Sequence, residues 1–170
     1  MLLLRFLQTL FKALASDGTP RQVASGMALG LALGLTPIAS LHNLLVVLLA
    51  MCTTVSMPGF MLGWAIGVPL GFALDPLFHA VGMAILLDDR AAPFFVWAMN
   101  TPIVSLARFN NSIVIGSLVV WVAALLPAYA LFRVGITRYR ERIHARLEQT
   151  RFFQALKASK LWTLYQWFAP

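Results

Sequence analysis

The stretch TPIASL at residues 36–41 recurs as TPIVSL at residues 101–106, and both copies lie within long apolar sequence. A proline inside a helix removes a backbone donor and frees the carbonyl one turn earlier, which hydroxyl or amide side chains can then satisfy. Asparagine side chains follow each copy closely: Asn43, Asn110 and Asn111. The repeated phrase therefore predicts two helix breaks, at Pro37 and Pro102, at similar depth in a bilayer.

The overall composition is that of a membrane protein. Apolar residues make up 60% of the 170-residue chain and charged residues only 11%. This balance lies outside the range of soluble domains and predicts an all-α integral membrane protein. The formal net charge is +7, with the basic residues concentrated towards the two ends. Because cytoplasmic segments are enriched in Lys and Arg, we expect both termini on the cytoplasmic side and an even number of crossings.

The charge and hydropathy patterns divide the chain into three parts. Residues 1–19 carry Leu and Phe at helical spacing among polar residues, which predicts an amphipathic helix in the membrane interface. Residues 20–136 form an apolar membrane domain, and residues 137–170 form a basic amphipathic tail with interfacial aromatic side chains. The predicted fold is a set of helical hairpins with proline-broken or re-entrant helices, flanked by these two interfacial helices.

Small residues in the membrane domain predict close helix packing. Three glycines are spaced four residues apart: Gly26, Gly30 and Gly34. In lipid this spacing allows another helix backbone to approach closely. A crossing takes about 20 residues, so we expect this short helix to form a hairpin with residues 38–55. In residues 60–87, glycines and prolines predict two half-length helices that meet near Pro69 or Asp75, whereas residues 103–132 predict one complete crossing.

Polar side chains inside apolar sequence are candidates for a functional site, because placing them in lipid is costly. The candidates are Asp75, His79, Arg108, Asn110, Asn111, His42 and Asn43. Asp75 and His79 would share one helix face, where the carboxylate can orient the imidazole for proton relay or substrate contact. The simpler alternative is that Asp75 caps a helix that begins at Pro76.

The groups that follow the two breaks also allow two interpretations. His42 and Asn43 follow the first break, and Arg108, Asn110 and Asn111 follow the second. If the breaks face each other, these side chains converge, and the planar guanidinium of Arg108 could bind a phosphate or carboxylate. Alternatively, the asparagines satisfy opened backbone and Arg108 reaches lipid headgroups or pairs with an aspartate. In both cases we expect Asn43, Arg108 and Asn110 to turn inward rather than toward lipid.

Signatures of enzymes are absent from the sequence. It contains no metal-ligand spacing, no glycine-rich phosphate loop after a strand, no nucleophile elbow and no nucleic-acid-binding motif. The single cysteine, Cys52, has no partner within the chain for a disulfide or a thiolate metal site. We therefore expect a protein that is not an enzyme and needs no metal or cofactor.

Several segments together resemble a known bacterial membrane family, domain of unknown function 2062. They are PRQVASGMALG at residues 20–30 and LTPIASL at residues 35–41. LDPLFH at residues 74–79 and RFNNSIVIGS at residues 108–117 resemble a short subgroup of that family. The resemblance covers most of residues 20–120 and implies a multi-pass protein of the bacterial inner membrane, but no activity. Genes of the subgroup often neighbour one for a large envelope protein similar to the AsmA family, which implies such a partner.

Three functions fit these observations. The leading hypothesis is a non-enzymatic inner-membrane subunit of a cell-envelope complex, which docks a larger periplasmic partner and assists phospholipid transport. The alternative is an autonomous small transporter or lipid flippase, as a homo-oligomer, with a polar site of Asp75, His79 and Arg108 between two broken helices. The third is a scaffold that shapes the membrane through its amphipathic ends.

Overall fold

The computed structural model describes residues 18–38 and 40–144. Within them, the chain forms α1 (Pro20–Leu35), α2 (Leu41–Cys52), α3 (Met57–Leu86), α4 (Ala92–Asn100), α5 (Pro102–Ser105), α6 (Ser112–Arg138) and a π-helical turn (Tyr139–His144). This part of the chain contains no strand, so the all-α class is confirmed there. The interfacial helix predicted over residues 1–19 and most of the basic tail lie outside the described residues.

The chain divides into two compact units, Met1–Arg133 and Val134–Pro170, and the following description concerns the first. Helix α1 is its innermost element, with buried residues on several sides: Val23, Ala24, Gly26, Met27, Ala28, Gly30, Ala32 and Leu35. Its start is fixed by a capping box, in which Thr19 Oγ1 accepts from the Gln22 amide and Gln22 Oε1 accepts from the Thr19 amide. Pro20 occupies the first turn, where a helix needs no amide donor.

Helices α1 and α3 pack backbone to backbone along two rows of glycines. Gly26, Gly30 and Gly34 of α1 lie against Gly59, Gly63, Gly67 and Gly71 of α3. A β-carbon on Gly30 would collide with the carbonyl oxygen of Phe60, and one on Gly63 with that of Met27. Because the residue numbers of both partners rise together along the contact, the two helices run in the same direction.

Helix α2 returns antiparallel to α1 and completes a short hairpin. At the end opposite its tip, a hydrogen bond of 3.0 Å from the Ser56 amide to the Gln22 carbonyl joins the chain after α2 to the start of α1. Its tip, described at residues 36–38 and 40, lies at the level of Gly71, which is the midpoint of the 30-residue α3. The hairpin therefore reaches only half the length of α3.

Helix α3 corrects one sequence prediction, since it runs unbroken from Met57 to Leu86 with Pro69 and Pro76 inside it. The predicted division into two half-length helices that meet near Pro69 or Asp75 is wrong. Each proline removes one helical hydrogen bond, but a full break would expose several more backbone groups, and the glycine contact with α1 supports the helix on both sides of Pro69.

Helix α6 crosses α3 at a second close contact. A β-carbon on Gly82 would meet the Ser112 carbonyl oxygen, and one on Gly116 would meet that of Phe78, so α6 runs antiparallel to α3. Helix α6 begins at Ser112 rather than near Ile103 as predicted, because α5 and a turn intervene. Met57–Leu86 and Ser112–Glu141 are each long and apolar enough to cross a membrane.

Candidate functional site

A cleft of about 280 Å³ lies where the tip of the α1–α2 hairpin meets the middle of α3. Its walls are the end of α1 and the adjoining part of the hairpin tip (residues 34–38), one face of α3 (Val68, Gly71, Phe72 and Asp75) and the start of α6 (Asn111 and Ile113). Most of these side chains are apolar. The first predicted break, one candidate carboxylate and one candidate asparagine thus border the same space.

The hairpin tip is held by a small network of buried polar side chains. Thr36 Oγ1 donates to Asn43 Oδ1 over 2.5 Å and also contacts the Ala32 carbonyl oxygen at 3.1 Å. Asn43 Nδ2 donates to the Pro37 carbonyl over 2.8 Å. Asn43 is 3% exposed and His42 8% exposed. Asn43 therefore satisfies a backbone carbonyl of the turn, which agrees with the alternative that the asparagines bond to opened backbone.

His42 belongs to the same network but is only partly satisfied. Its Nε2 lies 3.2 Å from Ser40 Oγ, and Ser40 Oγ itself donates to the Pro37 carbonyl over 2.7 Å. The other ring nitrogen, Nδ1, is buried and has no partner among the described residues. His42 does not line the cleft.

The two copies of the repeated phrase share a pair of side-chain hydrogen bonds, although the second copy contains the short helix α5. In each copy, the threonine hydroxyl donates to the carbonyl four residues earlier, and the serine hydroxyl donates to the carbonyl of the proline. These distances are 3.1 and 2.7 Å in the first copy and 2.9 and 2.8 Å in the second. A helix ends immediately before each threonine, at Leu35 and at Asn100. Thr36 and Ser40 of the first copy are buried, whereas Thr101 and Ser105 of the second are more exposed.

Asp75 is half-buried and lines the cleft. Within the described part of the chain its carboxylate has no hydrogen bond and no ion pair. The alternative in which Asp75 caps a helix starting at Pro76 is wrong, because both residues lie inside the continuous α3. His79 is exposed and its Nδ1 lies 2.7 Å from Ser112 Oγ, a contact that joins α3 to α6 next to their crossing point.

The groups after the second break lie apart from one another. Asn111 Oδ1 accepts from the amides of Ile113 and Val114, at 2.9 and 3.3 Å, and so caps α6. Arg108 has a φ of 55°, the left-handed conformation, and makes no ion pair with the described aspartates. Arg108 and Asn110 are both exposed, so the expectation that they turn inward is wrong. The left-handed residue lies in the turn between α5 and α6, and both side chains are on the surface of this turn.

The predicted polar site is therefore divided among three places. Asp75 and Asn111 share the cleft, and His42 and Asn43 lie in the hairpin tip beside it. The remaining candidates, His79, Arg108 and Asn110, do not line the cleft. No group of three or more His, Cys, Asp or Glu side chains in the described residues could hold a metal ion.

Sequence reasoning missed the second row of glycines. Gly59, Gly63, Gly67 and Gly71 are four residues apart, which is the spacing that indicated packing in α1. The prolines that lie among them indicate interruptions of the helix instead. The signal was present: a four-residue repeat in one helix requires a partner helix with an equally smooth face.

Comparisons with known proteins place these features in a family. The family described as "Uncharacterized protein conserved in bacteria (DUF2062)" matches residues 4–145. A protein of Treponema pallidum (strain Nichols), named only "Uncharacterized protein", is 32% identical over 162 residues, which cover 94% of this chain and 98% of the relative. No solved structure matches the chain significantly. The extent of the family match and this relative agree with the resemblance in residues 20–120, and the chain belongs to the bacterial DUF2062 family.

Proposed function

We propose that this chain is a multi-pass protein of the bacterial inner membrane, with α3 and α6 as crossings and the α1–α2 hairpin as a re-entrant element. Large apolar side chains on the outer faces of three helices support this: Leu44, Leu45, Leu48, Leu49, Phe72, Leu77, Val122, Leu126 and Leu131 are each at least 46% exposed. An apolar surface of this extent is unfavourable in water and is the ordinary outer surface of a protein in lipid.

The distribution of charge supports an orientation with both termini in the cytoplasm. Arg21 lies in the first turn of α1, at the end where α3 begins. Since α6 runs antiparallel to α3, its Arg133 lies toward that same end, whereas Asp88 and Asp89 follow the other end of α3. Basic residues favour the cytoplasmic side, so the loop after α3 faces the periplasm.

Within that membrane, the function we propose is a non-enzymatic subunit of a cell-envelope complex that assists phospholipid transport. The observation that carries it is the cleft at the midpoint of α3, bounded by the tip of a broken helical hairpin. Transport folds commonly build their substrate sites near the bilayer midplane from discontinuous helices. The partner would be a larger AsmA-like envelope protein, which is what the family resemblance implies.

A second candidate is an autonomous small transporter or lipid flippase. The position of Asp75 in the cleft favours it, because a carboxylate within an apolar helix is usually retained for binding or proton movement. In this case the energy would come from a gradient, and the substrate would pass along the cleft without a partner protein.

Two measurements separate these functions. Purification of the full chain in a mild detergent, followed by mass spectrometry, should recover a large envelope protein and phospholipid if the chain is a complex subunit. A lone chain without lipid would contradict that proposal. Reconstitution of the purified chain in liposomes should give phospholipid flux only if the chain is an autonomous flippase, and the flux should then fall in the Asp75→Asn variant.

A further inference from the structure

We propose that the cleft binds the ammonium group of a zwitterionic amine-headgroup phospholipid, such as phosphatidylethanolamine, with Asp75 as the charged partner. The inference rests on the proposed membrane function and names the lipid class that this site selects. It is carried by the depth of Asp75, by the groups around it and by the apolar walls of the cleft.

The position of Asp75 makes an unpaired carboxylate costly. It follows the midpoint residue Gly71 by one helical turn, which is about 6 Å along the axis. The hydrocarbon core is about 30 Å thick, so a crossing α3 keeps Asp75 inside it. There an ionised carboxylate requires a cationic partner. None of the basic residues in the described part of the chain lines the cleft.

The groups next to Asp75 also carry partial negative charge. The carbonyl end of α1 borders the cleft at Gly34 and Leu35, and its last turn carries no basic residue. A helix C-terminus has a partial negative charge that favours cations. Phe72, another wall residue, has a carbonyl without its helical donor, because Pro76 has no amide hydrogen. An ammonium group offers three donors to such acceptors.

The start of α6 supplies the complementary charge for the rest of the headgroup. Asn111 and Ile113 border the cleft at the N-terminal end of α6, which has a partial positive charge. The Ile113 and Val114 amides already donate to Asn111 Oδ1, so the helix dipole, rather than these amides, favours a phosphate next to the ammonium group. A headgroup with both charges fits this cleft better than a purely anionic one, which would be repelled by Asp75.

The walls of the cleft favour a lipid over a soluble amine. Leu35, Val68 and Ile113 line it, and two further wall residues, Ile38 and Phe72, are 70% and 75% exposed. With α3 across the bilayer, these two side chains contact acyl chains at the entrance. A molecule that carries an ammonium group and apolar chains satisfies both parts of the surface.

The test uses the full chain in a mild detergent and counts retained lipids by native mass spectrometry. The probes are phosphatidylethanolamine, phosphatidylcholine and phosphatidylglycerol with identical acyl chains, offered in equal amounts. We expect retention of phosphatidylethanolamine to exceed that of the other two about tenfold, as one charge-assisted hydrogen bond would give. Stepwise N-methylation of the headgroup should reduce retention by the unaltered protein, so this arm does not depend on the folding of a variant.

Variants then assign the preference to Asp75. Asp75→Asn should abolish it, Asp75→Glu should restore most of it, and the control Asp89→Asn, which removes a carboxylate from an exposed loop, should leave it unchanged. Equal retention of the three lipids, or a preference that survives in Asp75→Asn, overturns the ammonium site and leaves the transport proposal standing. Displacement of the lipid by free ethanolamine at equal concentration overturns the lipid assignment. Loss of lipid binding, flux and partner together would overturn the proposed function as well.

Discussion

The carbonyl oxygen of Gly34 lies 2.8 Å from the position that a β-carbon would occupy on Gly71. Gly34 is one of the last residues of α1, and Gly71 is the midpoint of α3. This contact fixes the hairpin tip halfway along the long helix, and the cleft with Asp75 opens beside it. The smooth glycine faces therefore determine where the polar turn, the carboxylate and the start of α6 come together.

The glycine contact predicts strong sensitivity to a single methyl group. Gly30→Ala would place a β-carbon against the Phe60 carbonyl and force α1 and α3 apart, with a loss of about 1–3 kcal/mol in unfolding free energy. Gly135→Ala is the control, because a β-carbon there meets nothing within 4 Å and alanine favours a helix. Unfolding in mixed detergent, followed by tryptophan fluorescence, measures the unfolding free energy of both variants. Equal stability of the two variants would contradict the packing.

The two copies of the repeated phrase provide a matched pair for the turn. Thr36→Val removes a buried hydroxyl that bonds to Asn43 and Ala32, and we expect a loss of about 1–3 kcal/mol from the unpaired groups. Thr101→Val removes the same kind of bond to Trp97 at an exposed site and should cost under about 1 kcal/mol. The same unfolding assay compares them, and a larger loss for Thr101→Val would refute the assignment of the buried turn.

The proposed re-entrant position of the hairpin predicts a pattern of cysteine accessibility. In a Cys52→Ser background, Asp89→Cys should react with a membrane-impermeant maleimide added to cells with a permeable outer membrane. Thr54→Cys, near the open end of the hairpin, should react only after the inner membrane is opened. Ile38→Cys, at the exposed tip, should not react with the maleimide before or after the inner membrane is opened, because the proposed arrangement places it in hydrocarbon. It should react only when detergent is added. Labelling of Ile38→Cys to the same extent as Asp89→Cys would mean that the hairpin crosses the membrane.

The left-handed conformation of Arg108 predicts that glycine is better tolerated there than arginine. Arg108→Gly should raise the unfolding free energy by about 1 kcal/mol, because a residue with a β-carbon is strained at positive φ. Arg90→Gly is the control, since Arg90 is exposed and does not have a positive φ. If Arg108 also contacts lipid phosphate, Arg108→Gly will lower lipid retention while stability rises. A destabilised Arg108→Gly would show that its side chain supports the fold.

Local chemistry explains which features could be predicted. Thr19 and Pro20 predict the start of α1, and the TPI phrase predicts its end, because capping and proline effects act within one turn of the chain. The effect of Pro69 could not be predicted from neighbouring residues alone. The same residue type ends α1 at the hairpin tip but is accommodated inside α3, where neighbouring glycines pack against another helix.

The sequence by itself determined the helical class, the apolar surface and the side-chain hydrogen bonds that the two copies of the phrase share, because hydrophobic pattern and short-range hydrogen bonds are properties of neighbouring residues. Only the tertiary structure decided that Asp75 and Asn111 share a cleft while Arg108 and Asn110 face outward. Those positions depend on which glycine faces meet and where α6 crosses α3, and such contacts join residues 30 or more positions apart, beyond the reach of any local pattern.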